Sequence, residues 1–187
     1  KVSSAAQEPF PKMSVKARDE IITTGVRDTF DLKKRANHVS CDDFHQWMKD
    51  GEDMVVLDMR NDYEWAIGRF KNSIRPPMKY FRDLDENLEF YNEYKGKKIV
   101  TFCTGGIRCE PASAQLIAAG FNQDDLYQLD GGIIKYAERY GDEGFFEGKC
   151  FVFDDRLALD VDTTKNAIIV GECYHCKGET EEFYNCL

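Results

Sequence analysis

The chain has 187 residues, 42% of them hydrophobic, with thirteen Phe and nine Tyr, which is apolar mass for one sizeable core plus extensions. No apolar run approaches the ~20 residues of a membrane span, and no secretory n-region and h-region open the chain. Seven unevenly spaced cysteines argue against a secreted disulfide scaffold and for a reducing compartment, the cytoplasm, while a formal charge of −9 repels polyanions on average. A nucleic-acid partner would therefore have to meet local basic clusters, Lys33-Lys34-Arg35 or Lys95-Gly96-Lys97-Lys98, which read equally well as solvated surface.

In chain order, the opening Lys1 to Pro11 has little apolar periodicity and starts without Met, which reads as a start inside a longer protein. Met13 to Ile22 alternates as an edge strand does, and Thr23 to Asn37 is charged and linker-like. From His38 the pattern becomes regular. Ser40 and Asp43 form a capping box, Phe44, Trp47 and Met48 share one helical face, and Gly51 is the stop signal. Met54-Val55-Val56-Leu57 is a short apolar run of the buried parallel-strand kind. It ends in Asp58-Met59-Arg60, charged residues at the strand end where open α/β sheets place their sites. Leu84, Leu88 and Tyr91 mark another amphipathic helix, Ile99 to Phe102 the next strand, and Ala112 to Ala119 a helix closed by Gly120. Leu126 to Leu129 is a third strand, followed by Asp130-Gly131-Gly132 and a helix through Tyr140. This alternation predicts a three-layer α/β domain around a parallel sheet. Beyond Gly144 the character changes. Phe145, Phe146, Phe151 and Phe153 alternate with charges, and Ala167 to Val170 leads into Cys173-Tyr174-His175-Cys176; the end, one residue after Cys186, reads as cut.

The chemistry is concentrated in Cys103-Thr104-Gly105-Gly106-Ile107-Arg108-Cys109, between a strand and a helix. Two glycines let the backbone curl so that amide N–H groups converge on the Cys103 sulfur, and the helix N-terminus adds partial positive charge. Amides, dipole and the Arg108 guanidinium favour thiolate over thiol, the state that makes a cysteine nucleophilic. A buried cysteine beside an ordinary glycine turn is the plainer alternative.

The active loop, the element Leu57-Asp58-Met59-Arg60-Asn61-Asp62-Tyr63-Glu64 and the run Tyr127 to Ile133 together resemble the rhodanese homology domain. Cys103 to Glu110, then Gln128-Leu129-Asp130-Gly131-Gly132-Ile133, then Gly148-Lys149-Cys150-Phe151-Val152-Phe153-Asp154-Asp155-Arg156, resemble more narrowly the rhodanese-like tRNA uridine hydroxylases. The resemblance implies a rhodanese-like α/β fold with a cysteine-containing C-terminal extension, and oxygen-dependent formation of 5-hydroxyuridine at the tRNA wobble position. Cys103 would be the catalytic cysteine, able to carry a persulfide, with Thr104, Gly105, Gly106, Ile107 and Arg108 as its cradle. Asp58 and Arg60 would have a structural and substrate-entry role. Molecular oxygen would be the co-substrate, with no cofactor required by the loop, and tRNA the partner, bound with help from an N-terminal domain. On this reading residues 1–37 are the remnant of that upstream domain and a linker, 38–145 the catalytic domain, and 146–187 an extension with a partial zinc-type motif. Where many rhodaneses have Gly-His-Ile, this chain has Gly68-Arg69-Phe70, so no role passes to that histidine.

Several alternatives stand beside it. The same loop suits sulfur transfer from thiosulfate or a persulfide donor, and a binding module with an idle cysteine needs only the fold. Phosphatase chemistry fits less well, because only four residues separate Cys103 from Arg108 and a small ring of amides suits a sulfur better than a phosphate. Cys109 reads either as a resolving thiol for Cys103 or as a small residue packed in the first helical turn with its sulfur turned away. Cys173, Cys176 and Cys186 read as most of a structural zinc site with a fourth ligand beyond Leu187; a redox CxxC is the competing reading.

Overall fold

The computed structural model describes residues 12–25, 29–161, 168–180 and 182. Strand β1, Asn37–Val39, leads into helix α1, Cys41–Asp50. Ser40 accepts the Asp43 amide at the start of α1, and Gly51 closes its end at φ 67. Strand β2, Val55–Asp58, follows, then helix α2, Asp62–Ile67, and strand β3, Gly68–Phe70. After two 3-10 segments, Phe81–Asp83 and Asp85–Tyr94, come β4, Ile99–Phe102, α3, Cys109–Ala118, β5, Leu126–Leu129, and α4, Gly132–Tyr140. Strands β6, Phe146–Phe151, and β7, Ala158–Asp160, complete the described elements.

The main sheet is parallel, in the order β1-β5-β4-β2, with Val55 opposite Ile99 and Ile99 opposite Leu126. Its strands read as continuous apolar runs because both faces are covered. One face carries Leu57, Ile99, Cys103 and Leu126 against α3, Leu84, and Tyr91 of the second 3-10 segment. The other carries Val56, Val100, Phe102 and Leu129 against Phe44 of α1 and Ile133 and Tyr136 of α4. Successive residues of β4 thus alternate between two cores, as the period of two requires, and Cys103 continues the Ile99-Thr101 side. A smaller antiparallel sheet, β3-β6-β7, is attached at Phe70 and Phe146, whose rings pack edge to face. No helix among the described residues is long and apolar enough to cross a membrane.

Two sequence expectations fail. Met13 to Ile22 forms no strand: Met13, Val15 and Ile21 are more than four-fifths exposed, so the alternation has no sheet edge to pair with. The segment around Leu88 is 3-10 rather than α-helical, broken at Asn87 (φ −112, ψ 15).

Candidate functional site

The loop after β4 is shaped by two glycines. Gly106 takes φ 86, which turns its N–H back onto the Cys103 sulfur at 3.1 Å. Gly132, at φ 64, lies under the loop; a Cβ there would collide with the Cys103 carbonyl oxygen and come within 2.8 Å of the Gly106 nitrogen. The start of α4 is fastened to the same backbone, Ile133 donating its amide to the Cys103 carbonyl (3.0 Å) and Ile134 to that of Thr104 (3.1 Å). Strand, loop and both helix starts are therefore one rigid unit.

Cys103 is wholly buried, and burial alone pushes its thiol up. A hydrogen bond from the Cys109 thiol, the charge of Arg108, and the amides of Arg108 and Gly105 outweigh that penalty and bring the pKa down to about 5. Cys109, the first residue of α3, is equally buried. Burial, its hydrogen bond to Cys103 and the negative charge there all hold its thiol well above the ordinary range. The two thiols titrate together, and the proton of the pair stays on Cys109.

Arg108 does not reach toward the sulfur with its guanidinium free. It forms a two-pronged ion pair with Glu64 of α2, 2.5 and 2.8 Å, and also donates to Thr104 Oγ1 at 3.2 Å. Glu64 is fully buried and also accepts the Asn61 amide at the start of α2. This carboxylate ties the loop to α2. The sequence shows it only as the last residue of the Leu57–Glu64 element, because nothing in a lone Glu announces burial. Asp58 and Arg60, in contrast, lie beneath the site: both are buried, Arg60 Nη2 donates to Asp58 (2.6 Å) and to the Gly68 carbonyl (2.6 Å), and its guanidinium lies 5.7 Å from the Phe102 and Phe146 ring centres. The pair joins the two sheets, and neither residue lines the cleft that holds Cys103.

Above the loop opens a cleft of about 670 Å³ with Cys103, Thr104, Gly105 and Arg108 at its floor and Asn61, Tyr80, Arg82 and Phe153 around it. The volume lies within the ~300–1,000 Å³ of small-molecule sites. Ile107, 46% exposed, and Phe153, 60% exposed, put apolar surface at its rim. Phe153 follows β6, so the extension supplies part of the wall. Tyr80, Arg82 and Phe153 escape sequence reasoning as site residues; the only signal was the Gly148–Arg156 motif that contains Phe153. A second depression of about 420 Å³, lined by Ile22, Leu32, Ile107 and Pro111 with Glu20, Thr24 and Glu110, has no cysteine in its lining.

In the tail, the Cys173 amide donates to Gly178 O (2.8 Å), the Lys177 amide to Cys173 O (3.0 Å), and Lys177 takes φ 62. The amides of Cys176 and His175 point at the Cys173 sulfur and lower its pKa. Cys186 lies outside the described residues, and among those described no three His, Cys, Asp or Glu side chains gather as a metal site.

A cysteine held as thiolate by amides where a parallel strand meets a helix defines the class of α/β domains built around an active-loop cysteine. Residues 40–139 match the rhodanese-like domain and residues 147–187 the rhodanase C-terminal family, and the chain belongs to the rhodanese-like domain family. Similar curated proteins bear the name tRNA uridine(34) hydroxylase. That of Cytophaga hutchinsonii is 42% identical over all of this chain and 58% of its own length; that of an Arthrobacter species is 39% identical, covering 65% of its length. The one from Chlamydia felis is 36% identical with 57% of its length covered. The chain thus spans roughly three-fifths of the relatives it matches.

Proposed function

We propose that this chain is the catalytic part of a tRNA wobble-uridine hydroxylase, with Cys103 as nucleophile. The observation that carries the reading is a thiolate with a pKa of about 5 on the floor of a cleft large enough for a nucleobase. The relatives' name supports the choice of substrate. Uridine is electrophilic at C6; a thiolate adding there places electron density on C5, where oxygen is to be introduced. One atom of O2 then enters at C5 and the other leaves as water, with two electrons and two protons from a thiol reductant, and Cys103 departs as the C5–C6 double bond re-forms. Thr104 to Ile107 act through their backbone, and Arg108, tethered to Glu64, holds the loop and lowers the cost of negative charge on sulfur. tRNA is the partner, the upstream part of the protein adds to its binding, and the reaction is cytoplasmic.

Mass spectrometry of tRNA nucleosides from cells lacking the complete protein, complemented with wild type or Cys103→Ser, tests this. The expected result is 5-hydroxyuridine-derived nucleosides with wild type and none with Cys103→Ser, thiolated nucleosides being unchanged. Loss of thiolated nucleosides instead would establish sulfur transfer, and normal 5-hydroxyuridine with Cys103→Ser would remove Cys103 from the reaction.

We further assign the tail cysteines to structural zinc. Amides aimed at the sulfur of the first cysteine of a CxxC turn are what a thiolate ligand requires, and Cys173 and Cys176 form no disulfide among the described residues.

A further inference from the structure

Between Trp65 and Arg82 the sequence carries five basic residues, Arg69, Lys71, Arg75, Lys79 and Arg82, and no acidic one, in a chain with 34 Asp and Glu against 25 Lys and Arg. All but Arg69 are exposed. Elsewhere on the molecule cations are commonly neutralised: Lys98 lies on Glu52, Arg139 on Asp42, Lys149 on Asp160 and Arg156 on Asp154. Among the described residues, Arg69, Lys71, Arg75 and Lys79 have no carboxylate within 4 Å, and Arg82 reaches only its neighbour Asp83, at 3.9 Å. Glu147, opposite Arg69 on β6, and Asp62, whose amide meets the Lys79 carbonyl, are acids on this side.

Four of these five cations, all but Lys71, lean on aromatic rings. The Arg69 guanidinium lies 3.9 Å and that of Arg75 5.5 Å from the centre of the Trp65 ring. Lys79 Nζ and the Arg82 guanidinium lie 5.4 and 4.9 Å from that of Tyr80. The two groups adjoin, because the Lys79 carbonyl accepts the Asp62 amide at the start of α2 and Trp65 stands one turn further on. Tyr80 and Arg82 line the Cys103 cleft, so the row of charge ends at its mouth.

We propose that the surface from Arg69 to Arg82 is a track for the phosphate backbone of single-stranded RNA, delivering one nucleotide to the cleft. Unneutralised cations interleaved with ring faces are the combination that binds single strands, charge to phosphate and rings to bases, and an otherwise acidic protein confines the strand to this path. The proposal rests on the reading of Cys103 as acting on an RNA uridine. It is preferred to the two clusters that the sequence suggested: Lys98 pairs with Glu52 and lies 3.2 Å from the centre of the Trp47 ring, Lys95 donates to the Ala119 carbonyl, and Arg35 pairs with Glu110.

The test is binding of an RNA anticodon stem-loop with uridine at the wobble position to the complete protein, over a salt series. Arg75→Ala with Lys79→Ala should weaken binding about tenfold near 0.1 M salt and flatten the log–log salt slope by about 1.4, about 0.7 for each single-strand phosphate left without its cation. Arg75→Lys with Lys79→Arg should restore most of it, and Lys33→Ala with Lys34→Ala should change nothing. An unchanged alkylation rate at Cys103 shows that the variant is folded. Wild-type affinity and slope in the Arg75/Lys79 alanine variant, or an equal loss from the Lys33/Lys34 variant, would overturn the track. Nucleoside analysis separates the two proposals: RNA bound as expected without any 5-hydroxyuridine refutes the hydroxylase and leaves the track, and 5-hydroxyuridine formed by the alanine variant at wild-type KM refutes the track and leaves the hydroxylase.

Discussion

The active loop and the tail turn both aim backbone amides at a cysteine sulfur, yet they sit at opposite ends of the burial scale. In the loop Cys103 has no exposed surface, and its second cysteine, a buried helical residue, donates a proton to it. In the tail Cys173 is half-buried, Cys176 is exposed, and a single bridge between Glu172 and Glu179 closes the turn. A thiolate in the open turn can share its charge with water or a cation. One in the buried loop depends wholly on fixed dipoles and Arg108, which keep it charged without a metal and leave its lone pairs for an electrophile. Burial and tethering separate the two cysteine environments.

The sharpest way to break the comparison is to cut the tether. Glu64→Ala leaves the Arg108 guanidinium buried without its carboxylate, at a cost of about 3–5 kcal/mol for an uncompensated buried charge. Chemical denaturation should show that loss, with Glu64→Gln intermediate; a change under 1 kcal/mol would mean that the loop is held by its backbone alone. Gly132→Ala should cost about 1–3 kcal/mol through its φ of 64 and slow Cys103 alkylation as well, because the new Cβ displaces the loop carbonyl. Normal alkylation in a destabilised Gly132→Ala protein would separate fold from site.

That tether marks the boundary of what was legible. Strands β2, β4 and β5 could be read because short, mainly apolar runs of four residues have few other uses, and the loop because Cys, Gly-Gly and Arg occupy a strand-to-helix junction. Strands β1 and β3, three residues each, are created by pairing with β5 and β6 and leave no local pattern. The Met13–Ile22 alternation misled for the converse reason, since a period of two without a partner is only an exposed segment. Glu64 and Phe153 matter through contacts made 44 and 45 residues away, with Arg108. The proposed basic track is hidden by its spacing: its cations stand two to four apart and form no run, so a search for clusters finds Lys33-Lys34-Arg35 and Lys95 to Lys98 instead.

The pH dependence tests the shared proton. Cys103 has a folded pKa of about 5 against ~8.5 for a free thiol, so its contribution to stability is present above the unfolded value and is lost as pH falls through 5. Cys109 is raised, so its contribution is present below the unfolded value and lost as pH rises beyond it. Together the pair should make stability climb from pH 5 to about 8.5 and then decline. Cys109→Ala removes both the donor and the decline. It should also move the midpoint of the iodoacetamide rate upward from about 5 by about one unit, the worth of one strong hydrogen bond to charge. An unmoved midpoint would assign the low pKa to the amides and Arg108 alone.

The smallest effect on the loop should come from the tail. Metal analysis of the complete protein is expected to find about one zinc per chain, lost in Cys173→Ser; a metal-free protein with a Cys173–Cys176 disulfide would overturn that assignment. Removing the metal should loosen the turn between Gly171 and Thr180, which is otherwise held by backbone bonds and the exposed Lys177–Glu172 ion pair. The turn is not isolated: a Cβ on Gly171 would lie 3.7 Å from the Ala66 carbonyl of α2, the helix that carries Glu64. Because α2 is fixed by the buried Glu64–Arg108 pair and by the Asn61 cap, loosening one side of it should shift the Cys103 alkylation midpoint by well under one unit. A shift as large as that of Cys109→Ala would mean that the open turn sets the geometry of the buried one, and the two cysteine sites would then have to be treated as a single coupled device.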